Sequence, residues 1–161
     1  DKHVTGVQTC ALPILFFGFV LVGLSLVQTN NRRTDEEMSP AQWFLFAATL
    51  WLPWVLAGSY LLIHFFNARG VVANIVDWWF IHNFARVYLT FVGLGTLFHF
   101  LSALSGRQLV GRGYAQFAFW VLLMAGSVGG VGPGAPVPAW LPALSTVTAV
   151  FYFFGDQKSV G

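Results

Sequence analysis

The chain has 161 residues, 57% of them hydrophobic and only 9% charged, with a net charge of +2. A soluble domain carries about 25% charged residues, so this composition cannot coat a water-facing surface, and a mean hydropathy of +0.69 agrees. The weak charge and the lack of any basic run exclude nucleic acid as a partner and leave the lipid bilayer. Aromatic residues make up 17%, with 17 Phe and 7 Trp, which suits lipid-facing helices with interfacial anchors. The single cysteine, Cys10, permits neither an internal disulfide nor a cysteine metal cluster.

Residues 4–14 read VTGVQTCALPI, the in-frame translation of a nucleotide run that resembles an adapter widely used in short-read sequencing libraries. Residues 1–14 are therefore expected to be adapter-derived and are set aside from fold reasoning. The end of the chain, 155–161, contains DQKSV, one change from the opposite adapter's DRKSV. Residues 15–154 are then expected to be a transmembrane helical piece of a longer protein.

A membrane-crossing helix needs about 20 mostly apolar residues. Residues 15–27 form an apolar run cut short at its start, and 30–40 (NNRRTDEEMSP) form a polar loop. Within that loop Ser39-Pro40 has the form of a helix cap followed by a first-turn proline. Residues 41–66 make a full span containing Pro53, which removes one backbone hydrogen bond and is expected to kink the helix. After a short loop at 67–75 comes a span at 76–104, a loop at 105–112 (SGRQLVGR), and a shorter span at 114–128. The stretch 129–142 (GGVGPGAPVPAWLP) is too rich in Gly and Pro for a helix. An apolar run at 143–154 closes the chain. The predicted fold is all-α: a polytopic transmembrane bundle of about three whole spans with a partial one on each side.

Arginine placement orients the bundle. Arg32, Arg33, Arg107 and Arg112 lie in the first and third loops, whereas the second carries Arg69 and the fourth carries none. By the positive-inside rule, 28–40 and 105–114 face the cytoplasm. The span 76–104 then runs from outside to inside, with Trp78 and Trp79 at the outer interface. Trp43 and Trp140 also sit where spans begin, as belt residues do.

His82 lies about one turn inside the outer end of its span, and an ionisable residue there is a functional candidate. Arg86 is four residues on and shares its helical face. One reading is a ligand or proton-path cluster facing the bundle interior, with Asp77 as a candidate counter-charge. The plainer reading is an interfacial histidine beside an arginine that snorkels outward. Position alone leaves both open. His64, near the outer end of its span, could share a layer with His82, while His99 lies near the cytoplasmic end; both read as interfacial histidines. Gly93, Gly95, Gly126, Gly129 and Gly130 are expected to permit close helix packing.

The string Trp78-Trp79-Phe80-Ile81-His82-Asn83, followed by Tyr88-Leu89-Thr90, resembles the sixth helix of the haem–copper oxidase catalytic subunit (cytochrome c oxidase subunit I). The nearest subclass is the cbb type, which reads WWYGHN and then FLT. The likeness continues through Ser105-Gly106-Arg107 (AGRP), Phe119-Trp120 (FW) and Val137-Pro138-Ala139-Trp140 (LPDW), over roughly residues 70–150 and in family order. In that family the sixth helix also runs from outside to inside.

The resemblance implies a membrane-embedded part of a respiratory electron-transfer enzyme that reduces oxygen at paired haem iron and copper. It implies a place in the bacterial inner membrane and other subunits of a respiratory complex as partners. His82 matches the sixth-helix copper ligand. The family's two further copper ligands are adjacent histidines of the seventh helix, within AGPHHLHYT, where this sequence reads Gly130-Val131-Gly132-Pro133-Gly134-Ala135-Pro136. The family's seventh-helix tyrosine is also missing from 119–128. Haem is implied for the whole protein with ligands outside this chain, copper is not expected, and no catalytic or haem-binding residue is assigned here. Several readings follow: a diverged relative or non-catalytic structural paralogue without copper, an oxidase with an error in the sequence, or a transporter or channel segment with a His/Arg pair.

Overall fold

The computed structural model describes residues 2–32, 38–107, 111–131 and 137–160, with side chains between 13 and 153 within those ranges. Five helical rods follow in order: α1 (Lys2–Asn31), α2 (Pro40–Phe65), α3 (Val71–Ser105), α4 (Arg112–Val128) and α5 (Trp140–Val160). No strand occurs among the described residues. The bundle is all-α, and Pro13–Asn31, Pro40–Phe65 and Val71–Ser105 are each long and apolar enough to cross a membrane.

The rods differ from the hydropathy reading at their ends. The first run, expected to be short, continues as helix on both sides of 15–27 and passes through Pro13. That continuity does not bear on the origin of residues 1–14. Helix α3 begins at Val71, so the loop before it is shorter than 67–75. Helix α4 has 17 residues, the lower end of spanning length. The Gly/Pro-rich stretch is non-helical at 129–131 and 137–139, while its middle lies outside the described residues. Helix α5 starts at Trp140, within the stretch expected to be loop.

Local chemistry accounts for the starts and stops. Ser39 caps α2 with a reciprocal pair: Gln42 N–H donates to Ser39 Oγ (3.4 Å), and Ser39 N–H donates to Gln42 Oε1 (3.0 Å). Pro40 takes the first turn, where its missing N–H costs no helical bond. Helix α3 ends at Gly106, whose φ of +64° is the left-handed conformation that stops helices. Helix α2 stays helical past Pro53 and finishes in a π-helical turn, Leu61–Phe65. A second π segment, Phe84–Leu89, interrupts α3.

Packing centres on α2, α3 and α4. Phe44, Phe91, Phe98 and Phe119 form a ring cluster, with Phe44 lying 5.1 Å from Phe91 and 5.4 Å from Phe119, both edge-on. Edge-to-face rings contribute about 0.5–1.5 kcal/mol per pair beyond their area. Ala41, Ala48, Val87, Leu122 and Leu123 fill the space around them. At Gly95 the α2 and α3 backbones close together: an added Cβ would stand 2.7 Å from Leu45 Cγ and 3.1 Å from the Ala41 carbonyl oxygen. Helix α1 lies outermost on α2, with 6% of its apolar window buried, and α5 lies along α4. Many large apolar side chains face outward, among them Phe17, Trp54, Phe100 and Phe151, as a lipid solvent requires.

Candidate functional site

The polar atoms inside the bundle gather around the first half of α3. Asn83 is fully buried there and forms a hub. Its Oδ1 accepts from Trp51 Nε1 of α2 at 3.1 Å. Its Nδ2 donates to the Trp79 carbonyl (2.9 Å) and reaches the Ser127 carbonyl on α4 (3.3 Å). Trp79 Nε1 donates to that same Ser127 carbonyl at 3.1 Å. Three helices are thus pinned at one level by groups that would otherwise lie unpaired in an apolar medium.

His82, next to this hub, is half-buried under the end of α4. The Gly126 carbonyl offers its ring a backbone acceptor. The chain leaving α4 then folds against the imidazole: an added Cβ on Gly129 would stand 2.8 Å from His82 Nε2 and 3.1 Å from Thr148 Oγ1. An added Cβ on Gly130 would stand 2.8 Å from His82 Cβ, and its φ of +132° is one that only glycine adopts readily. Two glycines in succession let bare backbone rest on the ring.

Arg86 lies one turn further along α3, within the π segment. Its guanidinium sits 5.3 Å from the ring centroid of Tyr152 on α5. Tyr152 Oη donates to the Arg86 carbonyl at 2.8 Å and stands 2.8 Å from Thr90 Oγ1. Asp77 is exposed near the start of α3. The partner the structure gives Arg86 is an aromatic face on α5.

The other histidines do not join this cluster. His64 is exposed and stacks on Tyr60 with ring centroids 4.4 Å apart. An added Cβ on Gly58 would stand 3.8 Å from the tip of the Trp79 indole, so α2 and α3 come close there. His99 is exposed beside Phe100, and the side chain of His3 lies outside the described residues. Of the five glycines expected to pack closely, Gly95, Gly126, Gly129 and Gly130 do, while Gly93 has nothing within 4 Å.

A family model for cytochrome c and quinol oxidase polypeptide I matches residues 4–153. The chain belongs to this family. No curated protein matches it as a relative. The match covers α2 to α4 entirely, α1 from residue 4 and α5 as far as residue 153.

As a member of the oxidase subunit I family, the chain can be tested against the copper that family membership implies. A site of that kind needs several imidazoles converging on one point, each oriented by a hydrogen-bond partner. Among the described residues no three His, Cys, Asp or Glu side chains come together. Residues 132–136, outside the described set, read GPGAP and hold no histidine. Around His82 stand glycine backbone, a threonine hydroxyl and, one turn away, a guanidinium, whose charge repels a metal cation. These residues do not fit copper.

Sequence reasoning found His82 and Arg86 because ionisable groups are rare inside spans. It quoted Asn83 without giving it a role and missed Trp51, Ser127, Thr148 and Tyr152. Only Asn83 carried a usable signal, since an amide inside a span demands partners.

Proposed function

We propose that this chain is the membrane-embedded part of a haem-bearing, copper-free relative of the respiratory oxidase catalytic subunit, nearest the cbb-type subclass and acting in respiratory electron transfer. The observation that carries the reading is His82. By resemblance it matches the family's sixth-helix copper ligand, and the backbone of Gly129 and Gly130, rather than further imidazoles, lies against its ring. Haem would be held by helices beyond this sequence, other subunits of a respiratory complex would surround it, and the bacterial inner membrane would be its place. Family membership favours this over a transporter or channel segment. The missing ligands favour, as a second reading, a structural paralogue without catalytic turnover.

In either case His82 acts as a hydrogen-bonding residue beside the Gly126 carbonyl rather than as a ligand. The test is metal analysis with electron paramagnetic resonance on the purified full-length complex. Haem without stoichiometric copper is expected, unchanged in His82→Ala. One equivalent of copper, lost in His82→Ala, would restore the active haem–copper centre and overturn the reading. A complex without haem would favour the paralogue.

A further inference from the structure

Helix α3 changes its hydrogen-bond spacing at the π segment Phe84–Leu89 and returns to α-helix at Thr90. Passing from five-residue back to four-residue spacing leaves one backbone carbonyl without a helical donor. Lipid cannot satisfy such a group, so a side chain or a neighbouring helix must. Tyr152 does so from α5, donating to the Arg86 carbonyl at 2.8 Å, with Thr90 Oγ1 also 2.8 Å from its hydroxyl. The same ring carries the Arg86 guanidinium on its face at 5.3 Å. Its edge lies against Gly126, where an added Cβ would meet Tyr152 Cε2 at 3.3 Å and Val87 Cγ2 at 2.9 Å. One side chain therefore reaches the carbonyl, the cation and the α4 glycine whose carbonyl faces His82.

We propose that Tyr152 is the positioning residue of the His82–Arg86 pair, holding the π turn open and seating the guanidinium on its ring. The π turn matters because it sets which way His82 faces. Were Phe84–Leu89 to relax to α-helix, the helix before it would turn by roughly 100° against Thr90 and beyond, about one residue's step. His82 would then leave the Gly126–Gly130 backbone. Seating also has a charge consequence. A guanidinium inside the hydrocarbon needs a partner, and an aromatic face supplies a favourable one without neutralising the charge. The pair therefore presents an imidazole and a fixed positive charge one turn apart. This inference does not depend on the copper-free reading, since it concerns the register of α3 alone.

The experiment is magic-angle-spinning NMR on the full-length protein in lipid, with carbon label at the Arg86 carbonyl and nitrogen label in arginine and histidine. In the unsubstituted protein the Arg86 guanidinium is expected to show a ring-current shift, and its carbonyl the shift of a hydrogen-bonded group. Tyr152→Phe should keep the ring-current shift, lose the carbonyl shift and move the His82 ring nitrogens. Tyr152→Leu should lose both Arg86 signatures. Thr90→Val should leave the Arg86 carbonyl shift in place. An unsubstituted protein lacking the ring-current shift would overturn the proposal, and that result needs no variant to fold. So would a Tyr152→Phe protein whose Arg86 carbonyl and His82 signals are unmoved.

Discussion

Asn83 shows how much one amide does in a bilayer, because each of its partners lies on a backbone or side chain with no water to turn to. It accepts from Trp51 and donates to the carbonyls of Trp79 and Ser127, so its removal strands an indole N–H on α2 as well as its own contacts. Interhelical hydrogen bonds within membranes contribute about 0.6 kcal/mol on average and at most about 1.7. Leaving a buried donor unpaired costs about 1–3 kcal/mol. Asn83→Leu is therefore expected to destabilise the bundle by about 1–3 kcal/mol, measured by unfolding in mixed micelles against Trp51→Phe. Trp51→Phe removes the indole donor and part of its ring but keeps both donor contacts of Asn83, so it should cost less. Equal stability of Asn83→Leu and the unsubstituted protein would mean that the hub contributes nothing. Why the sequence revealed His82 but not this hub is a matter of distance along the chain. Trp51 and Asn83 stand 32 positions apart, and Tyr152 and Arg86 stand 66 apart. Periodicity within one helix says which face a residue occupies, not which distant helix answers it.

At the scale of elements, hydropathy located the rods well because a bilayer demands long apolar runs whatever their detailed sequence. It placed the ends less well. Val71 to Ile75 and the turn beginning at Trp140 are helical although loops were expected there, since amides and prolines near a span end do not by themselves stop a helix. The π segments at Leu61–Phe65 and Phe84–Leu89 left no trace in the pattern of residues. The capping box at Ser39 was half visible: Ser39-Pro40 marked the start, and Gln42 completes it from the third helical position. Glycines divide sharply under the same test. Gly95 lies where α2 and α3 touch, and a methyl group there would meet Leu45 Cγ at 2.7 Å and the Ala41 carbonyl oxygen at 3.1 Å. The leucine can swing aside, but the backbone oxygen cannot. Gly95→Ala is expected to cost about 1–3 kcal/mol through overpacking, whereas Gly93→Ala, with nothing within 4 Å, should be neutral or slightly stabilising. Thermal or denaturant unfolding of the two variants side by side decides it. Equal effects would mean that the α2–α3 seam is not tight.

For the whole molecule, the direction in which the bundle faces rests on its loop arginines, while the geometry says which helix ends share a surface. The arginines of the first and third loops place those loops inside by the positive-inside rule. The geometry joins the same end: the Arg112 guanidinium at the start of α4 lies 5.5 Å from the ring centroid of Trp43 at the start of α2. A basic side chain stacked on an interfacial tryptophan marks a headgroup level, so the starts of α2 and α4 share one membrane surface. Trp78 stands near the opposite end of the bundle, 47% exposed, where the second belt belongs. Segments 28–40 and 105–114 are accordingly expected on the cytoplasmic side and the turn between α2 and α3 on the outer side. The measurement starts from Cys10→Ser, which leaves the chain without cysteine. Into it go Ala68→Cys, in the outer turn, and Ser105→Cys, at the end of α3. A membrane-impermeant maleimide added to right-side-out vesicles should label position 68 and spare position 105 until the membrane is opened. The reverse pattern would invert the bundle and place His82 toward the cytoplasm. Labelling of both positions from outside would show that α3 does not cross, and the reading of the chain as a membrane-embedded oxidase segment would fall with it.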